Sequence, residues 1–326
     1  MEKALTSIET DPAFAGGIRR LHDAKDFNDY AWQFSGPLSG FKGYYNRVAG
    51  YVHSSDAMKA VWEHCTSQGV KFILGEDEGA VVSLEYSEEN KCVGVTTCDG
   101  KHHPADLTIC AAGAYSALLV PSIGNFTTAR CWSVAHVQLT ENEADLLRGI
   151  PTTNIRDLGF FFEPDPKTKL FKLCPLGIGY TNTNKVTGVS LPPIDQRPTR
   201  PEFIPLKDEE KLRSLLRETL PWMAERPFVD NRLCWFSDTP DSNYCIDFVP
   251  GTGNSVICLA GDSGHGFKMM SIFGKWLLDL INAGKQDELR WEWRKTDLRG
   301  ENWADDVSWR IGIGAELRDL TREAQT

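Results

Sequence analysis

The stretch Ser255-Val256-Ile257-Cys258-Leu259-Ala260 runs straight into Gly261-Asp262-Ser263-Gly264-His265-Gly266, and then into an apolar-periodic segment from Ser271 to Asn282. A short apolar run bounded by glycine is too brief for a helix and reads as a buried strand. Strand, glycine turn and helix in that order make the unit from which α/β folds with a parallel sheet are built. Glycine lets a backbone approach a ligand closely. The helix behind it offers unpaired N–H groups and the positive end of its dipole. An anionic or electron-rich group would sit well there, although an ordinary glycine-rich strand–helix turn is spelled the same way.

The rest of the chain reads as alternating helix and strand. Residues 1–35 suggest helix, with Ile18, Leu21 and Phe27 as buried positions, followed by a loop through Gly36, Pro37, Gly40 and Gly43. Ser54-Ser55-Asp56 resembles an N-cap, with Met58, Val61, Trp62 and Cys65 at helical spacing behind it and Gly69 as the stop. Val70 to Leu74 predicts a short buried strand. Ala80–Leu84 and Val93–Thr97 predict a strand pair, and Asp99-Gly100 a hairpin turn. Ala105 to Ala114 reads as a strand ending in a tight turn, with a helix from Ser116. Trp132 to Leu139 alternates with period two, and Phe160–Glu163 and Leu170–Leu173 flank Asp165-Pro166 as a hairpin. Pro192 to Pro205 is a Pro-rich connector, and a helix from Asp208 to Leu220 carries Leu212, Leu215, Leu216 and Leu220 on one face.

Composition removes several function classes. The 326 residues suggest about two domains at roughly 150 residues each. A net charge of -10 without any run of Lys or Arg argues against nucleic acid as a partner. The nine cysteines contain no Cys-x-x-Cys pair, so no zinc site is expected and the thiols read as free, in a reducing, cytoplasmic setting. No apolar stretch nears the roughly 20 residues that span a bilayer. The first residues lack the apolar core of a signal peptide, and Ala324-Gln325-Thr326 is not a peroxisomal address. The expectation is a monomer that takes a small molecule and contacts no membrane.

Read without a family, Cys234 is a small buried thiol and Lys172 a solvated strand lysine. Lys268 is a helix-start residue set mildly against the dipole, and His265 serves packing or hydrogen bonding as readily as acid–base work. Their surroundings change this. Arg232-Leu233-Cys234-Trp235-Phe236-Ser237-Asp238-Thr239-Pro240-Asp241 precedes the glycine loop, and Gly264-His265-Gly266-Phe267-Lys268 follows its start. Ala111-Ala112-Gly113-Ala114-Tyr115-Ser116, Ala135-His136-Val137-Gln138-Leu139-Thr140 and Gly159-Phe160-Phe161-Phe162-Glu163-Pro164 come in the same order as related stretches elsewhere. From about residue 40 to 295 the chain resembles the fungal fructosyl amino acid oxidases (amadoriases) and monomeric sarcosine oxidase, which are FAD-dependent amine oxidases.

The resemblance implies an α/β (α+β) fold. In it, a Rossmann-like FAD-binding part (49–125 and 233–290) is interleaved with an antiparallel-sheet substrate part (1–48 and 126–232), as in D-amino-acid oxidase, and 291–326 form a tail. It implies FAD, covalently held by Cys234 and bordered by Ala112, Gly113, Asp262, Ser263, Gly264, His265, Gly266, Phe267 and Lys268. It places Lys172 over the flavin for oxygen activation and gives the substrate carboxylate to Lys268 and Arg310. The reaction implied is oxidation of the C–N bond of a secondary or amino-acid-derived amine to an imine, with O2 reduced to H2O2.

Two departures qualify it. The family opens with a strand–GxGxxG–helix unit for the pyrophosphate, which is absent from these residues; Gly177-Ile178-Gly179, Gly251-Thr252-Gly253 and Gly312-Ile313-Gly314 all lack the third glycine. The resemblance thus implies a truncated FAD-binding part whose parallel sheet lacks its first strand and leaves an open edge. Where amadoriases carry an acidic pair after the lysine, this chain has Pro175-Leu176, which points to a more apolar amine than a sugar adduct. A flavin-free cyclase or isomerase acting on an imine, or a non-catalytic homologue, stands as the alternative.

Overall fold

The computed structural model of the chain describes residues 2–193, 203–297 and 314–323. Its helices are α1 (Glu2–Thr10), α2 (Ala24–Tyr30), α3 (Ser54–Ser67), α4 (Ser116–Leu119), α5 (Glu141–Leu146), α6 (Leu206–Thr219), α7 (Met270–Ala283) and α8 (Leu317–Glu323). Its first strands are β1 (Ile18–Leu21), β2 (Gly43–Asn46), β3 (Val81–Tyr86), β4 (Cys92–Thr97), β5 (His102–Pro104), β6 (Thr108–Cys110) and β7 (Thr128–Gln138). Then come β8 (Thr153–Ile155), β9 (Gly159–Phe161), β10 (Leu170–Pro175), β11 (Tyr180–Thr181), β12 (Val229–Asp238), β13 (Cys245–Phe248), β14 (Val256–Ala260) and β15 (Ala315–Glu316). Contacts divide the chain into one unit of Met1–His53, Ser133–Leu176 and Pro201–Leu233, and another of Ser54–Trp132, Gly177–Arg200 and Cys234–Thr326.

The first unit is built on an antiparallel sheet. β10 pairs with the end of β7 and with β9, and β9 pairs with β8. Registers Phe171↔Val137, Leu173↔Ala135 and Leu173↔Phe161 put these five side chains on one pleat face. That face is buried in a single core with Leu212, Leu215 and Leu216 of α6, which packs on β9 and β10. The i, i+3, i+4 spacing of those leucines is why α6 forms here, and each fully buried leucine contributes roughly 1.5–3 kcal/mol. The opposite face carries the pairs Lys172↔His136 and Cys174↔Phe160. The alternation expected for β7 does not extend to burial, because every residue from Ser133 to Val137 is buried: both faces of the strand are covered. The amino-terminal segment also departs from the helical expectation. Ile18–Leu21 is a strand paired with Gly43–Asn46, and of the expected core positions only Leu21 is fully buried.

The second unit holds the parallel element. β14 pairs with β6 in parallel and with β13 antiparallel. β3, β4 and β5 form an antiparallel meander whose second turn is Asp99-Gly100, with Gly100 at φ +81. Among the described residues β6 has a ladder partner on one side only, and Ile109 is 41% exposed. α3 ends at Ser67, two residues before Gly69 at φ +85, and none of its residues is buried. Val70–Leu74 is not a strand: the run is exposed and outside every ladder, and it meets α3 through the Val70 N–H bond to Cys65 O and an edge-on contact of Phe72 with Trp62 at 6.3 Å. A strand needs a neighbour to satisfy its backbone, and none of the described residues supplies one.

No disulfide joins any of the nine cysteines among the described residues. Among the described residues no helix is long and apolar enough to cross a membrane, and no group of three His, Cys, Asp or Glu is arranged to hold a metal.

Candidate functional site

In the second unit the register Cys110↔Cys258 brings the carboxyl ends of β6 and β14 side by side. From there the chain enters Ala111–Gly113 on one side and Gly261–Gly264 on the other. The space beyond the carboxyl ends of parallel strands is where α/β sheets bind ligands. The glycine loop is tightly constructed. Gly261 sits at φ +75, and a Cβ there would lie 2.7 Å from Thr239 Cγ2; one on Gly266 would lie 2.8 Å from Asp262 Cβ. Ser263 itself is left-handed, at φ +46. The Asp262 carboxylate accepts hydrogen bonds from Ser237 N at 2.8 Å and Gly264 N at 3.2 Å, while Ser263 N donates to Ser237 O at 2.8 Å. Burial pushes the Asp262 carboxyl above its ordinary value, against the pull of those N–H groups.

These bonds lace the loop to β12, and β12 carries Cys234. That thiol is exposed, contrary to the buried reading that its residue type alone suggests. Phe236 on the same strand packs against Trp132 at 4.7 Å. The Trp132 indole N–H donates to Gly177 O at 3.0 Å, and its ring lies 3.0 Å from where a Gly264 Cβ would be. His265 takes the hydrogen-bonding reading. Its Nε2 lies 3.0 Å from Ser242 O and its Nδ1 3.0 Å from the Tyr244 hydroxyl. A carbonyl only accepts, so Nε2 carries the proton and Nδ1 accepts from Tyr244. Phe267 and Lys268 are exposed in a 3-10 turn, Gly266–Met269, that leads into α7. Arg310 lies outside the described residues.

Lys172 belongs to the first unit. Its side chain is exposed, with Nζ 5.9 Å from the centre of the Phe162 ring. Cross-strand from it, His136 is 5% exposed, and its Nδ1 lies 3.2 Å from Asp230 O. Burial holds the His136 imidazole below its ordinary pKa, and the charges of Arg232 and Lys172 push the same way. Phe162 packs in turn on Tyr51, with ring centres 5.6 Å apart. The Tyr51 hydroxyl donates to Glu163; burial and that carboxylate push its pKa up to about 12. His53 Nε2 lies 2.6 Å from Asp165 Oδ2. Asp165 stays well below the carboxylate range despite partial burial, because the Thr168 and Lys167 amides, the Thr168 hydroxyl and His53 bond to it. Pro175, buried, and Leu176 follow Lys172 at the end of β10.

The second unit's residues suit a planar cofactor. Gly113 is left-handed, at φ +55, and a Cβ there would meet nothing within 4 Å, so its surroundings are open. The exposed Cys234 thiol sits on the strand laced to the glycine loop, and Ala112 adjoins Gly113. Residues 16–280 match the DAO family of FAD dependent oxidoreductases. The chain belongs to this family. Among its relatives, L-saccharopine oxidase of Schizosaccharomyces pombe is 32% identical over a 273-residue alignment that covers 78% of this chain and 61% of that protein. The amino acid oxidase imqH of Aspergillus flavus is 29% identical over 76% of this chain and 59% of its own length. The chain thus spans about three-fifths of the curated relatives it matches. Among solved structures, the fructosamine oxidase amadoriase II of Aspergillus fumigatus superposes with a TM-score of 0.86 at 30% identity, covering 98% of this chain and 76% of the other. The fold class inferred from the sequence is that of these FAD-dependent oxidases.

Three features escape a reading of single residues: in the second unit, Trp132 against Gly264 and Ser237 as the lacing point of the loop; in the first, His136 opposite Lys172. The period-two alternation of Trp132–Leu139 identifies which residues of β7 share a face. Only pairing with β10 shows that His136 shares it with Lys172.

Proposed function

We propose that this chain is the catalytic part of an FAD-dependent oxidase that converts the C–N bond of a secondary or amino-acid-derived amine to an imine. The substrate carbon and nitrogen give up two electrons and two protons, and O2 takes them up as H2O2. Bound flavin supplies the electron-accepting ring for that exchange. Cys234, Ala112, Gly113 and Asp262–Lys268 are the residues that would hold it, with the Cys234 sulfur as the covalent anchor. The observation that carries the reading is an exposed cysteine on a strand hydrogen-bonded, through Ser237, to the loop at the carboxyl ends of a parallel pair.

The chain's own groups would divide the remaining work. Lys268, exposed ahead of α7, offers a cation for the substrate carboxylate, with Arg310 as its partner. Lys172 offers an ammonium that stabilises the negative charge developing on O2 during its reduction. Pro175-Leu176 supplies no carboxylate for a sugar hydroxyl, and relatives named for saccharopine and amino acids support an amine derived from an amino acid.

The test is spectroscopic. The purified chain should show flavin absorbance that remains with the pellet after acid precipitation. Cys234→Ala should leave the pellet colourless. A colourless wild-type protein that still turned over an amine would overturn the reading. In the loaded enzyme, Lys172→Met should slow reoxidation by O2 by on the order of a hundredfold and leave reduction by substrate far less affected.

A further inference from the structure

The face of the first unit's sheet that bears Lys172 carries a second titratable group to which the reaction above gives no part. His136 stands directly across the β7–β10 ladder from Lys172. Directly opposed side chains on one pleat face have Cβ atoms about 4.5–5.5 Å apart, within reach of a lysine folded back over its own strand. His136 is 5% exposed while Lys172 is open to solvent. A buried imidazole that only filled space would leave its polar edges to water or satisfy both within the fold, as His265 does with Ser242 O and the Tyr244 hydroxyl. His136 is bonded to the backbone at one edge. Its Nδ1 lies 3.2 Å from Asp230 O, with the Asp230 carboxylate 3.5 Å away. A carbonyl cannot donate, so Nδ1 holds the proton and Nε2 is left as an acceptor in the neutral ring. The pKa held down by burial, with Lys172 and Arg232 opposing a further positive charge, keeps the ring in that form; Asp230 alone among the facing groups favours protonation.

We propose that His136 is a positioning residue for Lys172: its unprotonated Nε2 accepts a hydrogen bond from the Lys172 ammonium, directly or through one water, and holds the cation beside Phe162. The arrangement is built from three strands. Asp230 on β12 sets the tautomer, β7 presents the acceptor, and β10 presents the ammonium. A flexible lysine has many rotamers, and an acceptor fixed by packing selects one without adding a charge. A carboxylate in the same place would neutralise the ammonium, whereas a neutral imidazole orients it and leaves its charge intact for O2. The consequence for catalysis rests on the function proposed above, but the contact itself does not.

The experiment therefore has two arms. The first needs no flavin: ring-nitrogen NMR on 15N-histidine-labelled full-length chain, with His136 assigned through its backbone. The proposal expects the Nδ1–H tautomer, and an Nε2 resonance that shifts towards the free-acceptor position in Lys172→Met. An Nε2–H tautomer, or a His136 signal unmoved by Lys172→Met, would overturn it. This arm does not depend on a His136 variant folding. The second arm uses flavin-loaded enzyme. His136→Leu should slow reoxidation by O2 by on the order of tenfold, His136→Gln should restore much of the rate through its side-chain oxygen, and reduction by amine should stay within about twofold. Equal losses in both half-reactions, with no rescue by Gln, would reduce His136 to a packing role. A chain that takes up no flavin would defeat the proposed function and leave the first arm to decide this one.

Discussion

Helices α6 and α3 are each fourteen residues long, and each carries apolar residues at helical spacing. α6 buries Leu212, Leu215 and Leu216 completely against Phe161, Phe171 and Leu173. α3 buries none of its residues, and Met58, Val61 and Trp62 stand 50%, 43% and 44% exposed. α7 in the same unit resembles α3 more than α6: Leu280 alone is buried, and Leu278 and Ile281 face outward. Periodicity reports which face of a helix favours burial. It does not report whether the chain contains the surface that would cover it. The first unit's stability therefore resides in helix-on-sheet packing. The second unit's resides in its strands, in the cluster of Cys110, Phe126, Val256 and Cys258, and in polar locks.

That contrast can be broken or sharpened by mutation. The largest effect is expected at a polar lock of the second unit, the buried pair Arg130–Asp238 at 3.0 Å. Asp238→Ala removes a carboxylate from beside the buried Arg130 guanidinium and should cost about 3–5 kcal/mol in urea unfolding. A cost near zero would shift the second unit's stability back onto its helices. In the first unit, Leu216→Ala should cost about 3 kcal/mol, since Leu216 is fully buried and the core has little room to collapse.

A smaller effect follows from acid. Arg226 bonds to Glu143 and pulls its pKa down to about 2, helped by the Thr140 amide and hydroxyl. A depressed carboxylate stabilises the fold above its unfolded pKa, and that contribution is lost as pH falls from the ordinary glutamate range through about 2. Glu143→Gln should lower stability at neutral pH by about 1 kcal/mol, allowing for solvent screening of a partly exposed pair, and should flatten the acid limb of a stability–pH curve. The smallest change is the most telling for the comparison. Val61→Ala on α3 should shift stability by no more than about 0.5 kcal/mol. A cost approaching that of Leu216→Ala would mean that α3's face is covered in solution.

Legibility in the sequence followed the same divide. The leucine stripe of α6, the β9–β10 hairpin at Asp165, the Asp99-Gly100 turn and the strand–glycine–helix unit at Gly261 are local patterns, and each forms where its residues say. Val70–Leu74 failed because a strand is a property of a pair, and its apolar residues say nothing of a partner. Ile18–Leu21 failed for the converse reason: its polar neighbours suggest helix, but Gly43–Asn46 supplies a ladder. The glycine loop was readable from spacing, and Cys234 was singled out by its motif. The exposure of that thiol, the locking of His265 by Tyr244 and Ser242, and the pairing of His136 with Lys172 are tertiary facts. Each depends on residues distant in sequence that the fold, by register or by loop geometry, brings together.

β6 has one more consequence. Among the described residues its outward edge has no ladder partner and carries the half-exposed Ile109, a template for a strand of a neighbouring molecule. An edge of that kind favours edge-to-edge association as the chain is concentrated. Clouding on concentration should begin there, and a lysine in place of Ile109 should delay it without touching the glycine loop.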